Sequence, residues 1–377
     1  MYPSETMPRI VLTATYLFPL RLYGLRRQSK MPGRRIVSFL SFIDAFEYLV
    51  QHFAFQKETL LLPSLYCQET SAHFRRHFNL VFYKIDPETL DADPADFMQK
   101  LQSEHPRVVL IYNVLGRETL LHKQTDWVRF LRGDALLISD MAHSLLPLHP
   151  LTVLHPNHFY IDSARKCTPY MVAHLVCPPG FSVDTGRIRC ISWYSIKASF
   201  LFFLKQWILR LHRLTGIAWL AHVSERVFLL HNDAIGISAI PHAAFPWDRV
   251  LYGHLRYERI AEKRAALWGA YNEVLCRRNP KGMRFYDLSP VARGQVCYYF
   301  ISVPPASAHA LVLYAAKRNV LIDQLWDMSG VRELPEDLRT FGSSIMVLPL
   351  TPSMQESDAV HMANVVCDYF EQPQKTP

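Results

Sequence analysis

The segment Ile138-Ser139-Asp140-Met141-Ala142-His143, followed by His158-Phe159-Tyr160-Ile161-Asp162-Ser163-Ala164-Arg165-Lys166, decides how this chain is read. Ala135-Leu136-Leu137-Ile138 is a short apolar run of the kind that forms a core strand, and Asp140 stands at its carboxyl end. Phe159-Tyr160-Ile161 predicts a second strand, and Lys166 follows it within a few residues. In open α/β sheets, side chains at the carboxyl ends of strands emerge into the ligand crevice. A lysine beside a crevice of low polarity can lose its proton and become a nucleophile toward an aldehyde. Each residue alone has a plainer reading. An Asp after a strand often caps a helix, and an Arg-Lys pair is usually a solvated edge.

Outward from this segment, residues 36 to 180 alternate short apolar runs with amphipathic stretches, as βα units do. Phe46, Leu49, Val50 and Phe53 fall on one helical face. Thr59 to Pro63 predicts a buried strand, Gln68 to Phe78 a helix, and Leu80 to Tyr83 a further strand. Val108 to Tyr112 is another core strand, and Trp127, Phe130 and Leu131 mark a helix that Gly133 would end. The result is α/β, with a mostly parallel central sheet and flanking helices. Between residues 191 and 230 the chain becomes strongly apolar. Phe200, Phe202, Phe203, Leu204, Trp207, Ile208 and Leu211 are mixed there with Lys205, Arg210, His212 and Arg213. Such a helix serves packing or dimerisation, or lies on a membrane surface. A smaller C-terminal α+β domain follows. The expected division is a basic N-terminal segment 1–35, a large α/β domain 36–245 and a small domain 246–377.

Composition bounds the rest. The chain has 377 residues, of which 50% are hydrophobic and 20% charged, so it is globular rather than disordered. The net charge of +8 is partly local. Arg9, Arg21, Arg26, Arg27, Lys30, Arg34 and Arg35 face the single acid Glu5. A basic surface attracts phosphates, nucleotide-linked sugars or anionic lipid. No aromatic RNA signature or zinc-finger spacing points to nucleic acid as a partner. Seven scattered cysteines form no C-x-x-C pair, so neither a disulfide framework nor a metal site is expected, and the cytoplasm is the expected compartment. The apolar run Ile10 to Leu20, broken by Pro19, is too short to span a bilayer and lacks a cleavage site.

Together these elements resemble the DegT/StrS-like family of pyridoxal 5'-phosphate (PLP)-dependent nucleotide-sugar aminotransferases, of fold type I. Asp140-Met141-Ala142-His143 is similar to the family's Asp-x-Ala-Gln/His element. Ser163-Ala164-Arg165-Lys166 resembles the Ser-x-Arg-Lys form of a polysaccharide-associated branch. The resemblance implies that Lys166 carries PLP as a Schiff base and that Asp140 pairs with its pyridine nitrogen, which makes the ring an electron sink. It also implies that His143 lies near the phenolic oxygen. Ser163 would take the phosphate, since the usual upstream serine position holds Ile161. Ser41-Phe42-Ile43-Asp44 reads as a capping box, and a helix start there can also bind phosphate. Tyr66 or Cys67 would cover the ring, and Asn113 would occupy the turn after the preceding strand. The implied reaction moves an amino group, from glutamate by resemblance, to a keto-sugar nucleotide in polysaccharide or glycan biosynthesis, within a homodimer.

Departures from the family at Phe42, Ile161 and Cys167-Thr168-Pro169 leave a second reading open. The chain would then be a catalytically altered PLP-fold protein with a binding or scaffolding role, in contact with a membrane. Ser163-x-x-Lys166 also matches the serine-lysine pair of penicillin-recognising acyl enzymes. The partner Ser-x-Asn and Lys-Thr-Gly elements of those enzymes are missing.

Overall fold

A computed structural model describes residues 34–144, 151–168, 170–215, 240–318 and 334–372, with isolated residues between 217 and 231 and between 320 and 328. The basic N-terminal segment anticipated for residues 1–35 lies almost wholly outside the described residues. Strands β1 (Arg35–Phe39), β2 (Glu58–Pro63), β3 (Phe78–Tyr83), β4 (Val108–Tyr112), β5 (Leu136–Met141), β6 (His158–Asp162) and β7 (Ala173–Cys177) form one sheet. Its order is β1-β7-β6-β5-β4-β2-β3. Only β7 runs against its neighbours, β1 and β6. The links from β6 through β5, β4 and β2 to β3 are parallel. Every residue of β4, β5, β6 and β7 is buried, because helices cover both faces of a parallel sheet.

Local chemistry sets the helices that frame the sheet. In α1 (Phe42–Phe53), Ser41 is extended and its hydroxyl accepts the Asp44 N–H at 3.2 Å. The Ser41 hydroxyl also donates to the Asp44 carboxylate, which accepts the His242 N–H at 2.9 Å. Helix α2 spans Gln68–Phe74 and stops short of the predicted Phe78. Phe74 and Phe78 have helical spacing, but His73 and His77 both reach Glu47 of α1, at 3.2 and 3.0 Å, and the chain turns there into β3. Asp93 caps α3 (Pro94–Glu104), accepting from Ala95 and Asp96. The helix expected at Trp127 is a 3-10 turn over Asp126–Phe130, and Leu131 rather than Gly133 ends it.

After β7 come α4 (Trp193–Thr215), α5 (Pro246–Tyr252) and α6 (Tyr257–Arg278). A second, antiparallel sheet then forms from Arg284–Phe285, Tyr298–Ser302, Ile345–Pro349 and Asp323–Gln324, in that spatial order. The final helix, α7 (Glu356–Glu371), packs along α6. This is the mixed α/β architecture anticipated, with an α+β portion at the carboxyl end. One expectation fails. Cys167 and Cys297 form a disulfide between residues 130 apart. Sequence spacing could not reveal it, because the turn after β6 meets the start of the strand Tyr298–Ser302 only in the folded chain. The buried Arg264 of α6 reinforces this junction by donating to the carbonyls of Cys167 (3.1 Å) and Leu350 (3.3 Å).

Candidate active site

The ladder between β4, β5 and β6 aligns the site. Tyr112 pairs with Asp140, and Asp140 with Ile161, so the three strands end almost level. Asp140 is the penultimate residue of β5 and is 3% exposed. Its Oδ2 accepts the Tyr66 hydroxyl at 2.5 Å, and its Oδ1 accepts the Ala142 N–H at 2.7 Å. Burial pushes the Asp140 carboxyl up to about 6, although Tyr66, the Ala142 N–H and nearby Lys166 all favour its charged form.

Lys166 ends the short 3-10 turn Ala164–Lys166 that follows β6. Its Nζ lies 2.9 Å from His143 Nε2. Burial, followed by repulsion from Arg165, lowers the lysine from its usual range. The Nδ1 of His143 is 2.5 Å from the Tyr112 hydroxyl, which accepts the Leu115 N–H at 3.1 Å. Burial holds His143 well below the ordinary imidazole value and Tyr112 well above the phenol value. His143 is thus held between two polar partners, the Tyr112 hydroxyl at Nδ1 and the Lys166 amine at Nε2. Trp326 stacks on His143 with centroids 6.0 Å apart, and Tyr298 meets the same ring edge-on at 5.8 Å. The arrangement sets a lysine amine, lowered from its usual range by burial, beside a buried carboxyl group.

The turn after β4 supports His143 from below. Gly116 has φ +91°, and a Cβ there would stand 2.4 Å from the His143 carbonyl oxygen. Gly116→Ala is expected to cost about 2–4 kcal/mol through backbone strain and this clash. A fall in the urea midpoint, with the slope unchanged, would show it.

No family model and no curated protein matches the sequence. Solved structures do match. Spr1654 of Streptococcus pneumoniae, assigned as a sugar aminotransferase, superposes with a TM-score of 0.61 at 11% identity, over 89% of this chain and 86% of that one. It has also been solved in PLP and PMP forms. 3-Amino-5-hydroxybenzoic acid synthase gives 0.59 at 13% identity, over 89% and 86% of the two chains. DesI, solved in the presence of its TDP-sugar product, gives 0.58 at 14% identity, over 89% and 80%. The chain has their fold. It is the fold type I architecture of PLP enzymes that the sequence resemblance implied.

Within that fold, Asp140, His143, Lys166 and Tyr66 converge. Cys67 starts α2, makes no capping bond with its side chain, and is close enough to act electrostatically on Lys166 and Tyr66. Asn113 joins β5 instead of the crevice. Its N–H reaches the Asp140 carbonyl at 3.1 Å and its side chain lies 2.7 Å from Met141 Sδ. Phe42 and Ile43 pack into the core, and the Ser41 hydroxyl is engaged with Asp44. The helix start therefore offers no side-chain hydroxyl for a phosphate.

Residues that could hold PLP are present in the lysine turn. The buried Ser163 makes no capping hydrogen bond, and the buried Nε of Arg165 has no partner among the described residues. An orphan donor at Arg165, with the Ser163 hydroxyl on the same turn, suits phosphate oxygens. Each oxygen of Asp140 accepts one bond, which leaves lone pairs for a pyridinium N–H. Sequence reasoning missed Tyr112 and the stacking role of Trp326. The first had a readable signal, since Tyr112 ends an apolar strand just as Asp140 does.

Proposed function

We propose that the chain is a PLP-dependent aminotransferase that delivers an amino group, from glutamate, to a keto-sugar carried on a nucleotide. The observation that carries this reading is the Lys166 amine, 2.9 Å from His143 on the turn beside the buried Asp140. Lys166 would hold the cofactor, Asp140 its ring nitrogen, and Ser163 with Arg165 its phosphate. When bound, PLP withdraws electrons from the amino carbon of the substrate. The chain's own residues do the rest. Lys166 accepts and returns a proton at Nζ, a general acid–base role that its lowering by burial favours. His143, fixed by Tyr112 and Trp326, orients that amine. The apolar packing around Tyr66, Tyr112 and Trp326 excludes water. A homodimer and a role in polysaccharide assembly belong to the same proposal and are supported by the family resemblance.

The visible spectrum tests the reading. Purified protein given PLP is expected to absorb in the visible range. Glutamate should convert that band to the amine form. An unchanged band with glutamate and with other amino acids would sink the aminotransferase reading. A binding role without turnover is the second reading, favoured by the engaged Ser41 hydroxyl and by Tyr66 on the Asp140 carboxylate. Its signature is PLP uptake with no transamination across a panel of keto-sugars and keto-acids.

A further inference from the structure

Helix α4 is inside out. Its inward face carries Ser195, Ala198, Phe202, Lys205 and Gln206, all buried. Its outward face carries Trp193 (77% exposed), Phe200 (59%), Phe203 (58%), Trp207 (47%) and Leu211. At 100° per residue these five fall in one stripe. Lys197 borders the stripe on one side and Arg210 on the other, and both are exposed. The Arg210 guanidinium lies 5.7 Å from the Trp207 ring centre. The inward face is anchored. Ala198 and Phe202 pack on Leu40 and Met171, Phe202 lies against His231, and Tyr194 lies against His242.

The apolar surface continues beyond the helix. Ile191 precedes it, and the Arg189 segment pairs with residues 241–243, close to the exposed Ile240. In α5, exposed Trp247 and Val250 flank Asp248, which the Met171 backbone holds. The electrostatics of this region are one-sided. Helix α4 carries no acid, and Lys197 and Arg210 are exposed along it. No helix among the described residues is long and apolar enough to cross a membrane.

We propose that α4 and α5 form a peripheral docking face for an anionic lipid surface. Exposed tryptophans bordered by arginine and lysine match the headgroup boundary, where amphipathic rings settle and cations meet lipid phosphates. A two-fold pairing of copies through this face would bring like charges together with no acid on α4 to neutralise them. A phosphate-bearing bilayer supplies the missing negative charge.

The test uses the full chain with vesicles of phosphatidylcholine, alone or with phosphatidylglycerol. Co-sedimentation is expected with the anionic vesicles and not with the neutral ones, together with a blue shift of tryptophan emission. Phe203→Ser with Trp207→Ser should lower the bound fraction about tenfold or more, since buried aromatic area is lost. Lys197→Glu with Arg210→Glu should lower it on the order of 10-fold or more. These side chains are exposed, so unchanged far-UV circular dichroism and an unchanged PLP spectrum serve as the folding control. Absence of binding to anionic vesicles, or binding insensitive to both double variants, overturns the proposal. So does concentration-dependent self-association that the same variants abolish in a protein that ignores vesicles, because a second copy would then own the face.

Discussion

Lys166→Ala is expected to abolish the visible band of PLP-treated protein and to lower transamination by about 10⁴-fold or more, the upper range for loss of a positioned acid–base group. The loss should be larger than for any other single change, because in the proposed function one amine both holds the cofactor and moves the proton. Borohydride should leave no cofactor attached to the variant. The fold should survive, since the amine contributes one hydrogen bond, to His143. Added methylamine should restore part of the activity if proton transfer is the main deficit. Full activity in Lys166→Ala would require another lysine at the site.

Asp140→Asn separates stability from function. Burial raises this carboxyl from 3.8 to about 6. The unfolded chain therefore loses its proton first as the pH rises. Stability is complete below the unfolded value, falls between roughly 4 and 6, and stays lower above that range. A difference of this size corresponds to about 3 kcal/mol. The amide removes that penalty but leaves Tyr66 with a poorer partner, which returns about 1 kcal/mol. The cofactor-free variant should thus unfold at a higher urea concentration than the parent at pH 8 and lack the parent's decline between pH 4 and 6. Turnover should fall on the order of 10²–10³-fold, because a neutral amide cannot hold a protonated ring nitrogen electrostatically. A cofactor-free variant less stable than the parent at pH 8 would mean that the carboxylate is solvated better than its burial suggests.

The parts of the site that were legible in the sequence lie on strand ends. Apolar runs announce β5 and β6, and a polar residue just past such a run has few places to go except the crevice. Asp140 and Lys166 were readable for that reason, and His143 only through the resemblance of Asp140-Met141-Ala142-His143 to a family element. Tyr112 was passed over because an aromatic at the end of an apolar strand looks like more core. Its hydroxyl acquires meaning only beside His143 Nδ1. Trp326 comes from an irregular stretch, so no periodicity predicts which ring it meets. Ser41 shows the opposite failure. Its capping role was read correctly, but the same bonds that cap α1 engage the hydroxyl that a phosphate would need. The helix predicted to Phe78 overran because side-chain spacing cannot register Glu47, whose partners lie on another helix.

The Cys167–Cys297 bridge constrains how the crevice can breathe. It ties the residue after Lys166 to the residue before Tyr298, whose ring edges against His143. The two sheets are thereby stapled next to Lys166, and separation along that seam is forbidden while the sulfurs stay joined. Any opening between them must instead turn about the staple as a pivot.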